Sequence, residues 1–184
     1  MKRLMDIVLS LVALALLSPI LVLAALAVAI DSGFPVIFRQ TRIGLGGREF
    51  GMYKFRSMVK NAASIGPHYT AAGDTRITRT GRFIRRTSID ELPQIVNVLK
   101  GQMSLVGPRP DLPAQRGNYT EAVWDERCSV RPGITGLAQA LLRSEGNQEQ
   151  RQAMDLRYVR EAGILMDIRI MWWTLARLSG EGSN

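Results

Sequence analysis

Residues 7–30 carry no charged side chain, and no other feature restricts the fold of this chain as much. A helix through this stretch would reach about 36 Å, longer than the roughly 30 Å hydrocarbon core of a bilayer. Within it, "ALALLSPILVLAAL", residues 13–26, places a serine and a proline near the centre. Pro19 removes a backbone donor and crowds the preceding turn, while Ser18 can bond the carbonyls this frees, so Ser18-Pro19 reads as a kink. It divides the run into two arms of about twelve residues and about 18 Å each, which suits a re-entrant hairpin that enters one leaflet and returns. Lys2 and Arg3 precede the run, and Arg39, Arg42, Arg48, Lys54 and Arg56 follow it, so both ends carry the charge that favours the cytoplasmic side. Hydropathy alone also permits a signal anchor, because kinked spanning helices are tolerated. A cleaved signal peptide fits less well. Ala25-Leu26-Ala27 and Ala27-Val28-Ala29 resemble cleavage sites, but the run exceeds the usual apolar region of about 7–15 residues.

The chain has 184 residues, enough for one compact domain beyond the apolar run. Lysine and arginine total 24 against 16 acids, a net charge of +8. Lys2 and Arg3 balance Asp6 and Asp31 in the first 32 residues, so the excess belongs to the rest. A basic domain held at a membrane is suited to anionic lipid headgroups, phosphorylated substrates, or both. Nucleic acid is not the expected partner, since no zinc-finger, helix-turn-helix or RNP-like motif occurs. Cys128 is the single cysteine and His68 the single histidine, which argues against an internal disulfide, a zinc site and cysteine-protease chemistry.

"PVIFRQTRIG" and "REFGMYKFRSM" are β-prone stretches joined by "LGG", the pattern of a small hairpin. No Gly-Lys-Ser/Thr follows those glycines, so they read as a turn rather than a phosphate loop. Residues 60–74 are small and polar and read as a loop. In "TRITRTGRFIRR", Arg76, Arg79, Arg82 and Arg85 recur every third residue beside Arg86, which on a helix makes a basic face for headgroups, phosphates or solvent.

"TSIDELPQIVNVLKG" predicts a short amphipathic helix with Leu92, Ile95, Val96 and Leu99 on its packed face and Gly101 as its stop. Ser88 with Glu91 fits a capping box, and Pro93 belongs in a first turn. Asp90 and Glu91 then sit where the helix dipole favours the anion, which predicts an ionised Asp90 competent as a nucleophile; both acids serving only as caps is the alternative. "SLVGPRPDLP" holds Arg109 between two prolines on a stiff, extended backbone suited to phosphate capture or to a rigid turn. In "VRPGITGLAQ", Gly133 and Gly136 permit close approach of a ligand or tight turns. Residues 148–178 read as helix, with Trp172 and Trp173 near Ile168, Ile170, Arg169 and Arg177, a mix that suits an interfacial helix. Asp167, embedded there, either pairs with an arginine or faces an internal polar site.

Taken together, "KRLMDIVLSLVALALLSPI", "FRQTRIG", "YKFRSM", "SIDELPQIVNVLKGQMSLVGPRP", "RPGITGLAQ", "DLRYV" and "MDIRIMWWT" make the chain resemble the monotopic phosphoglycosyl transferases, bacterial sugar transferases that start surface-glycan and exopolysaccharide assembly. The resemblance covers nearly the whole chain and is similar to the minimal catalytic core of that family. It implies an α+β fold: a re-entrant membrane helix-hairpin over residues 1–32, then a small β-hairpin and several amphipathic or interfacial helices in one catalytic domain, residues 33–184. It implies a monotopic enzyme on the cytoplasmic face of a bacterial inner membrane. The reaction implied transfers a phospho-sugar from a UDP-sugar to undecaprenyl phosphate and releases UMP. In this reading Asp90 is the covalent nucleophile, Glu91 helps hold magnesium, and Lys54, Arg85, Arg109 and Asp167 are further substrate-site positions.

Elementary electrostatics agrees with a cationic site. Two unit charges of like sign 4 Å apart cost about 4 kcal/mol at an effective dielectric near 20, so an aspartate attacking a diphosphate needs cations around it. An N-acetylated amino sugar is the first expectation for the donor, with a hexose such as glucose or galactose as the alternative. A non-catalytic basic scaffold that binds anionic membrane lipids is the competing reading of another class, and a homo-oligomer is compatible with either.

Overall fold

The computed structural model describes residues 1–66, 73–142 and 146–178. His68 lies outside them, as does the side chain of Arg177. Helix α1 (Lys2–Ser32) keeps its helical hydrogen bonding on both sides of Pro19, so the element is continuous. The reason is local: Ser18 Oγ donates to Ala15 O at 2.9 Å, the carbonyl that a residue-19 N–H would have served. By length and composition α1 is able to cross a membrane. Leu11, Val12, Leu16, Ile20, Val22 and Leu23 along its middle are all exposed.

Both ends of α1 are built into the rest of the molecule. The expected hairpin follows it: β1 (Ile37–Ile43) pairs antiparallel with β2 (Glu49–Phe55), from Ile37 opposite Phe55 to Ile43 opposite Glu49, across a turn at Leu45–Gly47. Gly46 and Gly47 have φ of 63° and 73°, so the glycines serve the turn, as the missing Gly-Lys-Ser/Thr foretold. Within the stretch expected as a loop, α2 (Ala62–Ile65) forms one helical turn. Helix α3 (Arg79–Arg86) is capped by Thr78, whose side chain accepts from Gly81 N at 3.0 Å. Its Ile84 joins Phe55 of β2 and Ala24 and Val28 of α1 in one buried cluster. Arg76 precedes the helix and is bound to Asp74 and Ala62 O, so the basic face of α3 is narrower than the spacing predicted.

The region expected as one capped helix is instead two pieces. A 3-10 turn at Ile89–Glu91 precedes α4 (Gln94–Leu99), with Pro93 at its start. Ser88 lies at φ 57°, in the left-handed region, and its side chain caps nothing; the expected capping box is absent because Glu91 is engaged elsewhere. The packed face of α4 is Gln94, Ile95, Asn97 and Val98 rather than Leu92, Val96 and Leu99. Asn97 is wholly buried: its amide donates to Gly51 O and Gln102 Oε1, each at 2.8 Å, and its Oδ1 accepts from Tyr53 N at 2.9 Å. This one side chain docks α4, and with it the turn at residues 89–91, onto β2. At the other end of α4, Arg3 of α1 donates to Val98 O and Leu99 O at 2.6 and 3.0 Å.

Strand β3 (Ser104–Val106) pairs in parallel with β4 (Gly133–Thr135), with α5 (Glu121–Cys128) between them in sequence. A Cβ at Gly133 would lie 2.1 Å from Gly107 N, and one at Gly136 would lie 2.2 Å from Gly107 O. These glycines therefore let two backbones approach each other, a use beside the ligand approach and tight turns that the sequence suggested. Three helices complete the fold: α6 (Leu137–Leu142), α7 (Gln148–Glu161) and α8 (Ile164–Leu178), the last two dividing the long C-terminal helical stretch at residues 162–163. Val106, Leu137, Ala140, Tyr158 and Ile170 form their common core. Helix α8 turns Ile170 inward and leaves Leu165, Ile168, Trp172 and Leu175 exposed along its outer side.

Removing the buried Asn97 amide orphans Gly51 O and Tyr53 N together. Asn97→Ala is expected to lower unfolding stability by about 3 kcal/mol, read from the denaturant midpoint at constant slope.

Candidate active site

The turn at Ile89–Glu91 presents two adjacent carboxylates to a wall of cations. Glu91 Oε1 accepts from Lys54 Nζ of β2 at 2.8 Å and from Arg109 Nη2 at 2.9 Å. Burial alone would push the Glu91 carboxyl upward, but the charges of Arg109 and Lys54 outweigh it and hold the group at about 2. Lys54 is pulled below the ordinary lysine range, mainly by burial, with Glu91 opposing. Asp90 is 8% exposed, and it moves the other way. Burial first, and the neighbouring Glu91 charge second, raise its pKa, while Lys54, Arg85 and Arg109 oppose that rise. The helix-dipole expectation is thus corrected: no regular helix begins at Asp90, so desolvation dominates. The result is a more basic carboxylate flanked by cations that favour its anion.

Arg109 owes its position to backbone bonds made by its neighbours. Four successive carbonyls of the Pro-Arg-Pro segment are each taken: Pro108 O by Gly133 N at 2.9 Å, Arg109 O by Arg127 Nη2 at 2.6 Å, Pro110 O by Arg42 Nη1 at 2.8 Å, and Asp111 O by Ile43 N at 2.9 Å. The guanidinium of Arg109 remains half exposed while its backbone is held on every peptide.

Two of those donors carry charge that the sequence did not mark as part of a site. Arg42 sits beside Arg109, and its pKa falls to about 10, through burial first and then the Arg109 charge. Arg127 is buried between two carboxylates: Nη1 pairs with Asp111, and Nε and Nη2 donate to Asp155 Oδ2 at 3.1 and 2.9 Å. One cation between two acids leaves the cluster short of positive charge. Burial accordingly raises Asp155 to about 6, against the opposing pull of Arg127. No local signal in the sequence distinguishes Arg127 or Asp155 from surface charges, because both acquire their role by facing each other across α5 and α7.

The structure therefore brings Asp90, Glu91, Lys54 and Arg109 together and places Arg85 within electrostatic reach of Asp90. It does not bring Asp167 to them. Asp167 on α8 is wholly buried, accepting from Lys2 Nζ of α1 at 2.5 Å and from Tyr158 OH at 2.7 Å. Lys2 and Tyr158 also donate to Val106 O, at 3.2 and 2.9 Å. The partner is thus the second residue of the chain, 165 positions away, rather than an arginine nearby. Ser18 and Pro19 lie in the exposed middle of α1.

Among the described residues no three His, Cys, Asp or Glu side chains converge on one point. A magnesium ion requires less, since it binds through one or two carboxylates together with phosphate oxygens and water. Adjacent acidic side chains at residues 90 and 91 meet that requirement.

The site is a carboxylate dyad ringed by lysine and arginine, in a chain whose α1 is long and apolar enough to cross a membrane. The chain matches the family described as bacterial sugar transferase over residues 1–180 and belongs to it. It is 42% identical over 186 residues to a UDP-glucose:undecaprenyl-phosphate glucose-1-phosphate transferase of Caulobacter vibrioides, covering 96% of this chain and 69% of that protein. It is 44% identical over 182 residues to the Escherichia coli K12 protein of the same description, covering 95% and 39%. A UDP-N-acetylgalactosamine-undecaprenyl-phosphate N-acetylgalactosaminephosphotransferase of Aeromonas hydrophila is 38% identical over 189 residues, covering 100% and 45%. The chain thus spans between 39% and 69% of the length of these three relatives.

The low Glu91 pKa has a signed consequence. Its pairing stabilises the fold above about pH 4.5 and that contribution fades as pH falls toward about 2. Lys54→Met removes one of the two cations, so carboxyl NMR should show the Glu91 midpoint rising by about one unit or more.

Proposed function

We propose that this chain transfers a phospho-sugar from a UDP-sugar to undecaprenyl phosphate through Asp90. A carboxylate oxygen of Asp90 attacks the phosphorus that carries the sugar, the bond from that phosphorus to the bridging oxygen breaks, and UMP departs with the electron pair. A phosphate oxygen of the lipid then attacks the same phosphorus, restoring the Asp90 carboxylate and forming the sugar diphosphate lipid. The observation that carries this reading is the pairing of a buried, raised aspartate with a glutamate held ionised by Lys54 and Arg109. The raised pKa makes Asp90 the better nucleophile, and the surrounding cations offset the charge of the phosphate it approaches. Arg85 and Arg109 would orient the diphosphate. Magnesium, held by Glu91 beside Asp90, would neutralise the phosphate oxygens as charge develops.

We infer a monotopic placement on the cytoplasmic face. Lys2, Arg3 and Asp6 at one end of α1 and Val28 and Ser32 at the other are bonded or packed to the same domain. A spanning helix would have its ends on opposite sides of the bilayer, so two tethered ends support a helix that bends near Pro19 and returns. The exposed apolar side of α8, with Trp172, and the basic face of α3 suit the headgroup layer and its anionic lipids. For the donor, the names of the relatives favour a UDP-hexose, glucose first. The Aeromonas relative keeps an N-acetylated amino sugar as the second reading.

Asp90→Asn is expected to abolish UMP release from UDP-glucose and undecaprenyl phosphate, by a factor of about 10³ or more, while membrane binding persists. Undiminished turnover would refute the covalent step, and the same assay with UDP-N-acetylgalactosamine decides the sugar. A cysteine placed ahead of Lys2 should react with impermeant reagent only from the cytoplasmic side; labelling from the periplasm alone would overturn the bend.

A further inference from the structure

A cleft of about 320 Å³ is lined by Arg109 but by neither carboxylate of the dyad. Arg42 lines it too, and Gln148, Gln152 and Asp155 line it from α7. Those three residues follow at i, i+4 and i+7, so one face of that helix forms the wall. Asp155 is 5% exposed, and its two oxygens differ: Oδ2 takes both bonds from Arg127, whereas Oδ1 has no hydrogen-bond partner among the described residues. A buried carboxylate oxygen without a donor, in a polar cleft of small-molecule size, is a position for a ligand hydroxyl.

We propose that this cleft holds the nucleoside of the UDP-sugar and that Asp155 Oδ1 accepts a hydrogen bond from a ribose hydroxyl. The inference rests on the transferase reading above and deepens it. Displacement at phosphorus sets the attacking and leaving oxygens in line, so UMP lies across the phosphorus from Asp90. Arg109 both touches Glu91 and lines the cleft, which places the diphosphate over Arg109 and the nucleoside beyond it. The sugar, bonded to the attacked phosphorus, stays on the dyad side. An ionised carboxylate is acceptor-only and so matches a hydroxyl, while the amides of Gln148 and Gln152 carry both donors and acceptors, as the uracil edge requires. Asp155 thus serves twice, steadying Arg127 behind the Pro-Arg-Pro segment and facing the ligand.

The test uses the intact chain in detergent with UDP, 2′-deoxy-UDP and 3′-deoxy-UDP as probes, read by calorimetry. Wild-type protein is expected to bind UDP about tenfold or more tightly than one of the deoxy forms, and Asp155→Asn should bring that ratio toward one. The ratio in wild-type protein stands even if the variant fails to fold, and a merely structural Asp155 would not move it. Equal affinity for all three probes would overturn the proposal, as would an Asp155 variant that changes preference among UDP-sugars without changing the deoxy ratio. UMP release measured on the same preparation separates the two failures. Release without discrimination refutes only the nucleoside assignment, whereas no release and no UDP binding refutes the transferase reading with it.

Discussion

The rest of the site depends on the four carbonyls of residues 108–111, fixed by donors from β1, α5 and β4. Proline at 108 and 110 supplies no N–H, so this segment cannot join a sheet on both edges and would be a loose loop on its own. One buried and one partly buried arginine, with two backbone amides, replace the missing ladder. Arg109 can then project a charged, half-exposed guanidinium from a backbone that is hydrogen-bonded at each carbonyl, which preorganises its charge. The glycines at 107, 133 and 136 belong to the same construction, since side chains there would push β3 and β4 apart and release the Pro108 carbonyl.

The dyad is positioned from the opposite side by Asn97. Its amide ties α4 to β2, so Lys54 on the strand and Glu91 on the preceding turn come within 2.8 Å. Glu91 is thereby held from two directions, by Lys54 through the hairpin and by Arg109 through the Pro-Arg-Pro segment. Asp90, one residue earlier, receives no direct bond from these cations but feels their charge, and burial leaves it more basic than its neighbour. Two adjacent acids with pKa values driven apart is the pattern expected where one is to react and the other is to stay ionised.

Helix α1 is as much a part of this domain as any soluble helix at its ends, and unlike one in its middle. Asp6 is buried and accepts from Ser104 Oγ and Leu105 N, Lys2 reaches the Asp167–Tyr158 pair, and Arg56 closes on Ser32 and Gly33. A polar network at both ends with an apolar, exposed centre fixes the position of α1 relative to the rest of the domain. The ion pair of Lys2 and Asp167 is buried at its carboxylate and partly exposed at its ammonium, and Tyr158 and Val106 O bond its remaining groups.

Local pattern was enough for the elements whose physics is local. The apolar run, its Ser-Pro repair, the glycine turn of the hairpin, the helical C-terminal stretch and the Asp-Glu and Pro-Arg-Pro signatures were all legible, because each depends on neighbours within a few residues. Lys54 entered as a site residue through family resemblance and Arg109 through its flanking prolines as well, and the structure gave them a shared partner. The capping box at Ser88 was misread because Glu91 binds cations 37 and 18 residues away instead of its own backbone, and the dipole effect on Asp90 because no regular helix begins there. Arg42, Asn97, Arg127 and Asp155 were invisible as site residues, and Asp167 found its partner 165 positions off. By itself the sequence determined which segments are helix, strand or turn and which charges were available. Only the tertiary structure decided which charges meet, since burial and pairing across distant segments, rather than spacing along the chain, fix where an ionised group can sit and how strongly it holds its proton.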